Sequence, residues 1–187
     1  MFTILFSKGV LVFGVLVVIV LIFLAYVIKT ANALKAAENK VRELDSDVDV
    51  ALAKRYDLLT KQYAIVKSYM SYESENLITS IKLRKGMTPD EKTGVEKLMK
   101  NASDQINAVV EAYPELTAGK NIEVLQNSCT NAEEHIQAAR RLYNAGVTNY
   151  NNLCSQFPSS VVADITGHNI VAVSYTHLRA HETVLDL

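Results

Sequence analysis

A histidine pair, two cysteines, alternating aspartates and a knot of basic residues are the side chains of this 187-residue chain that invite a chemical reading. His177 and His181 stand at i and i+4 with Glu182 beside them. On a helix both rings share a face, as a zinc pair requires, but the order is not H-E-x-x-H and no third ligand is near in sequence. No metal is expected. Cys129 and Cys154 lie 25 residues apart on one predicted helix, which is about 37 Å along its axis. A disulfide needs Cα atoms within about 7 Å. Buried free thiols are therefore the expectation, with an intermolecular bond as the alternative. Asp45, Asp47 and Asp49 suit a cation only if their oxygens converge. Neighbours at i and i+2 diverge on a helix, so a solvated face is expected.

Lys82, Arg84, Lys85 and Lys92 crowd the first break in the chain. Anionic lipid or nucleic acid would suit them, but favourable charge at a helix C-terminus explains three without a ligand. Net charge is −1, so no basic field points to nucleic acid. Tyr56, Tyr63, Tyr113, Tyr143 and Tyr150 recur at helical seam positions. Core rings with hydroxyls at the edge are the simple account, and anchors for a partner helix the alternative. Arg140, Arg141 and Asn144 form the candidate interaction surface, against a purely structural pairing with Asp57 or Glu111. The chain has no glycine-rich phosphate loop, nucleophile elbow or metal set. No enzyme, cofactor or small-molecule substrate is expected.

The elements that would carry these residues are helices. Residues 9–28 are an uncharged, almost wholly apolar run, long enough for the roughly 30 Å core of a bilayer. A retained transmembrane helix is expected, preceded by a short segment at 1–8. A cleavable signal fits less well, because the apolar run is long and Lys29 interrupts the approach to Ala31-Asn32-Ala33. Lys29, Lys35, Lys40 and Arg42 follow the run while Lys8 alone precedes it. Positive residues favour the cytoplasm, so the N-terminus is expected outside and the helical domain inside.

Beyond the span, Val41, Leu44, Val48, Leu52, Tyr56, Leu59, Tyr63, Val66 and Met70 keep helical spacing, with no Pro or Gly up to Lys85. One helix is expected to run from the membrane through this stretch. Thr88-Pro89-Asp90-Glu91 marks the next start, with Thr88 as N-cap and Pro89 at the first position. Val95, Leu98, Ala102, Ile106, Val109 and Tyr113 would form the second seam, ending at Pro114 and Gly119. A near-heptad third helix runs from Ile122 to Phe157 and stops at Pro158-Ser159-Ser160. The fold class is all-α: a transmembrane helix and a long antiparallel bundle of three main helices over residues 30–169.

Several of these segments resemble the LemA family. Asp49, Leu52, Arg55 and Leu58 have the spacing of its first-helix signature. Glu111-Ala112-Tyr113-Pro114-Glu115-Leu116 is similar to its second-helix ending. The stretch from Ala138 through Arg140, Arg141 and Asn144 to Asn151 resembles its third helix, and Phe157-Pro158-Ser159-Ser160-Val161-Val162-Ala163 resembles its ending. The resemblance covers residues 2–169. It implies a bacterial membrane protein with one N-terminal span, its N-terminus outside, and roles in membrane organisation and envelope maintenance. The family usually carries Pro where Thr60 stands, so a kink there is not expected. Residues 170–187 read as a tail outside the domain. Residues 173–187 resemble translated sequencing-adaptor DNA.

Two classes of function remain open besides an enzyme. A membrane-tethered scaffold or adaptor, held to the membrane by residues 9–28, requires a protein partner or self-association. A lipid-binding or membrane-organising homo-oligomer requires the domain to hold lipid by itself.

Overall fold

The computed structural model describes residues 2–70, 77–118 and 120–171. Among them lie five α-helices and no strand. These are α1 (Phe2–Val66), α2 (Pro89–Ala112), α3 (Pro114–Ala118), α4 (Lys120–Ser155) and α5 (Ser159–Thr166), with a 3₁₀ turn over Lys67–Tyr69. The all-α class is as read from the sequence. The described residues divide into two compact units, one of residues 2–41 with Gly146–Val171, the other within Arg42–Ala145.

Among the described residues one helix is long and apolar enough to cross a membrane, and almost none of its apolar window is buried. It is α1, which passes through Thr60 unbroken. The Thr60 hydroxyl donates to the Tyr56 carbonyl at 2.9 Å, the usual back-bond of a helical threonine. The helix stops at Val66 rather than running on to Lys85. Val66 is the last buried position of the seam. Past it, Lys67, Ser68 and Tyr69 are all exposed, so no buried stripe holds the helix down.

In the second unit the α1 seam is Leu44, Val48, Leu52, Arg55, Leu59, Gln62 and Val66, all buried. The spacing of three and four is kept, but two of its members are polar. Tyr56 and Tyr63, expected in the seam, sit one position aside and are half-buried. On α2 the buried set is Val95, Met99, Ala102, Ile106 and Val110. Val95, Ala102 and Ile106 are buried as expected, but Met99 and Val110 take the places expected of Leu98 and Val109, and Leu98 and Tyr113 are exposed. On α4 the expected seam is buried at Ile122, Cys129, Ala132, Ile136 and Tyr143.

Cross-helix contacts fix the directions. Gln62 meets Cys129 and Arg55 meets Glu133, so α4 runs antiparallel to α1. Thr93 meets Arg140 and Asn107 meets Gln126, so α4 is antiparallel to α2 as well. Lys92 meets Asp45 near the start of this stretch of α1, while Ser103 and Asn107 share a cleft with Arg55 and Gln62. Thus α2 runs parallel to α1. Parallel neighbours need a long return. The segment from Ile81 to Met87 supplies part of it, lying along Asp57, Ala53 and Asp49.

The first unit buries Leu34 and Val41 of α1, Val147, Tyr150 and Cys154 of α4, and Val162 and Ala163 of α5. Gly167 ends α5 at φ 74°, a conformation that glycine adopts without strain. The amide of Gly167 donates to Asp164 and that of His168 to Ala163, closing a left-handed helix cap.

Candidate functional site

Side chains able to do chemistry gather in the core of the second unit, and they are mostly spent on one another. Lys92 is fully buried. Its ammonium lies 2.6 Å from Asp45 Oδ1 and 2.8 Å from Asp49 Oδ1, and donates to the Asp45 carbonyl at 3.2 Å. Both of these Asp45 oxygens accept hydrogen bonds from the ammonium, while Asp49 Oδ1 faces it as an ion pair without a hydrogen bond. Asp45 and Asp49 are four apart and share a face of α1, while Asp47 is exposed. The expectation of a wholly solvated acidic face is therefore corrected: two of the three aspartates hold an internal cation. The basic cluster divides accordingly. Lys92 enters the core, Arg84 pairs with Glu91, and Lys82 and Lys85 stay exposed.

One turn along α2 from Lys92, Glu96 pairs with Arg140 of α4, whose guanidinium also reaches the Thr93 hydroxyl at 3.2 Å. Arg55 of α1, 2% exposed, pairs with Glu133 of α4 at 3.3 Å. Burial holds the Glu96 carboxyl above its ordinary range, outweighing the opposing pull of the Arg140 and Arg55 guanidinium groups. One sign of a core role for Arg55 is present in the sequence. Arg55 falls in the same three-and-four series as Leu52, Leu59 and Val66, where a core residue belongs. Lys92 falls three residues before Val95 and seven before Met99, in the same way.

Arg55, Gln62, Lys100, Asn107, Cys129 and Glu133 are among the residues lining a polar cleft of about 210 Å³. The Arg55 Nε and Nη1 atoms are shielded from solvent with no protein acceptor. The Cys129 thiol donates to Gln62 Oε1 at 3.4 Å. Burial pushes that thiol up to about 11. It is therefore protonated at neutral pH and a weak nucleophile. Cys154 is likewise a buried free thiol. No group of three or more potential metal ligands occurs among the described residues. His177, His181 and Glu182 lie outside them, as does the adaptor-like stretch 173–187.

The candidate interaction residues separate. Arg140 turns inward to Glu96 and Thr93, with its side chain 15% exposed. Asn144 is half-buried, and Arg141 is exposed beside an exposed Leu142. A different surface is more apolar. Ala64 and Ile65 in the last turns of α1, with Val124 and Leu125 near the start of α4, line an open groove of about 460 Å³. Four residues past Ile65, Tyr69 packs against Tyr113, ring centroids 5.0 Å apart and tilted by 53°. Both rings remain exposed at one edge. Of the other tyrosines singled out by spacing, Tyr143 and Tyr150 are core residues.

The family model described as LemA family matches residues 45–187. No curated protein matches the chain.

Proposed function

The chain belongs to the LemA family, and from that premise we propose that it is a membrane-anchored helical adaptor of the bacterial envelope with no catalytic step of its own. The membrane holds one end through residues 9–28, and the bundle offers docking faces to a protein partner. The observation that carries this reading is the open apolar groove of Ile65 and Val124 with the half-exposed Tyr69–Tyr113 pair four residues on. Aromatic and aliphatic side chains held rigid on helices are the usual anchors of an interface. Arg141 and Leu142 extend the candidate surface along α4, while Arg140 supports it from within. The polar core favours a scaffold over an enzyme, because its acids and bases are paired with one another and its thiol is protonated. The flanking charges favour a topology with the N-terminus outside and the bundle in the cytoplasm.

The test is site-specific photocrosslinking in native membranes, with the probe at Ile65, Val124 or Arg141. A discrete adduct with one other protein from any of these sites supports the adaptor. Adducts only between two copies of the chain, or only with lipid, overturn it in favour of a membrane-organising homo-oligomer.

A further inference from the structure

The first unit carries an apolar surface that its own core leaves uncovered. α5 buries Val162 and Ala163 but exposes Val161 at 49% and Ile165 at 76%, and Phe157 just before it is 85% exposed. Val161 and Ile165 are four apart on one face of the helix. Large exposed apolar side chains grouped in this way mark a contact surface.

The position of this patch along α1 identifies what it meets. His168 Nε2 lies 3.8 Å from Glu38 Oε2, and the His168 ring lies 6.3 Å from that of Tyr150. Tyr150 of α4 therefore stands at the level of Glu38 of α1. The two helices run in opposite directions, so the end of α4 at Ser155, five residues on, comes level with Ala33. Phe157 falls near Ala31, within about 5–10 Å of Ile28, the last residue of the apolar run. Burial agrees. Leu34 is fully covered and Thr30 is 8% exposed, and the only other segment of their unit is Gly146–Val171. The cover of α1 thus reaches down to the first residues beyond the span; Phe157 and the start of α5 lie at that edge, and α5 leads back from it towards His168 at the level of Glu38.

We propose that Phe157 and the outer face of α5 insert into the membrane interface beside the transmembrane helix, giving the unit a second, shallow attachment to the same bilayer. This rests on the reading of residues 9–28 as a membrane span. A lipid surface fits better than a protein groove because the patch continues, within about three helical turns, the lipid-facing surface of α1. Attachment is apolar in character. Residues 146–171 contain no Lys or Arg and one acid, Asp164. Headgroup charge therefore contributes little, and added salt leaves the contact in place.

The chain has no tryptophan, so single-tryptophan variants report one position each. The full chain is reconstituted in phosphatidylcholine vesicles whose acyl chains carry bromine either near the headgroup or near the bilayer centre. Phe157→Trp and Ile165→Trp are expected to emit towards the blue and to lose most of their emission to the shallow bromines, equally at low and high salt. Val50→Trp, at an exposed site of the other unit, is expected to keep its emission, and Phe23→Trp to lose it to the deep bromines. If the reporters at 157 and 165 behave like the one at 50 while that at 23 is quenched, the interfacial contact is overturned and the anchor stands. If the reporter at 23 is not quenched either, the anchor reading falls, and the contact with it.

Discussion

At the scale of single residues, the buried charges decide the chemistry of the second unit. Lys92 without its two aspartates would be an uncompensated cation in a dry site, and the aspartates without Lys92 two crowded anions. Lys92→Met is expected to cost about 2–3 kcal/mol in urea unfolding, discounted because both carboxylates keep some water. Adding Asp45→Leu and Asp49→Leu is expected to recover most of that loss, since an apolar trio of similar volume needs no ion pairing. Two glutamates of α2 give opposite signatures of pH. The Thr88 backbone N–H donating to its carboxylate, helped by Arg84, holds Glu91 below its ordinary 4.5 against the opposing effect of burial. Its stabilising effect is complete above 4.5 and is lost as pH falls through the folded value. Burial holds Glu96 above 4.5. Its effect is complete below 4.5 and is lost as pH rises through the folded value. Melting temperatures of Glu91→Gln should fall behind the parent towards neutral pH. Those of Glu96→Gln should gain on the parent over the same rise.

At the scale of elements, caps and stripes set the boundaries. Thr88 accepts from the Glu91 amide while Glu91 accepts from the Thr88 amide, a closed capping box at the start of α2. Thr88→Ala is expected to lower unfolding stability by about 1 kcal/mol. Gly167→Ala forces a left-handed backbone on a residue with a Cβ and is expected to cost about 1–2 kcal/mol; circular dichroism under urea measures both. The capping signal at Thr88-Pro89 was fully legible because it is local chemistry at fixed offsets. The seams of α1 and α4 were legible because spacing alone specifies them. The parallel course of α2 was not. Nothing local tells whether a stretch without Pro or Gly, as up to Lys85, continues a helix or doubles back. The core roles of Arg55 and Lys92 were hidden for a related reason. They occupy core slots in the repeat, but a charged residue reads as surface until its partner, 78 or 47 residues away, is in view. The same holds for Arg140, whose place in the sequence pattern suits an outward face while its partner Glu96 draws it in.

At the scale of the whole molecule, sidedness is the property to measure first. Both native thiols are buried, so a cysteine introduced at an exposed site is the reactive one. Glu134→Cys, on the outer face of α4, is expected to resist an impermeant maleimide in intact cells and to react once the membrane is opened. Reaction in intact cells would reverse the orientation. The two ion pairs of α2 bear on how the second unit opens. Lys92 ties α2 to α1, and Glu96, one turn on, ties it to α4. α2 cannot lift away without stranding charges on both neighbours, so the three helices should part together. That makes Lys92 a built-in clock. Acylation of its amine by acetic anhydride should proceed only through the open molecule, lagging far behind the exposed Lys97 and Lys100, and its rate should report how often the whole unit comes apart.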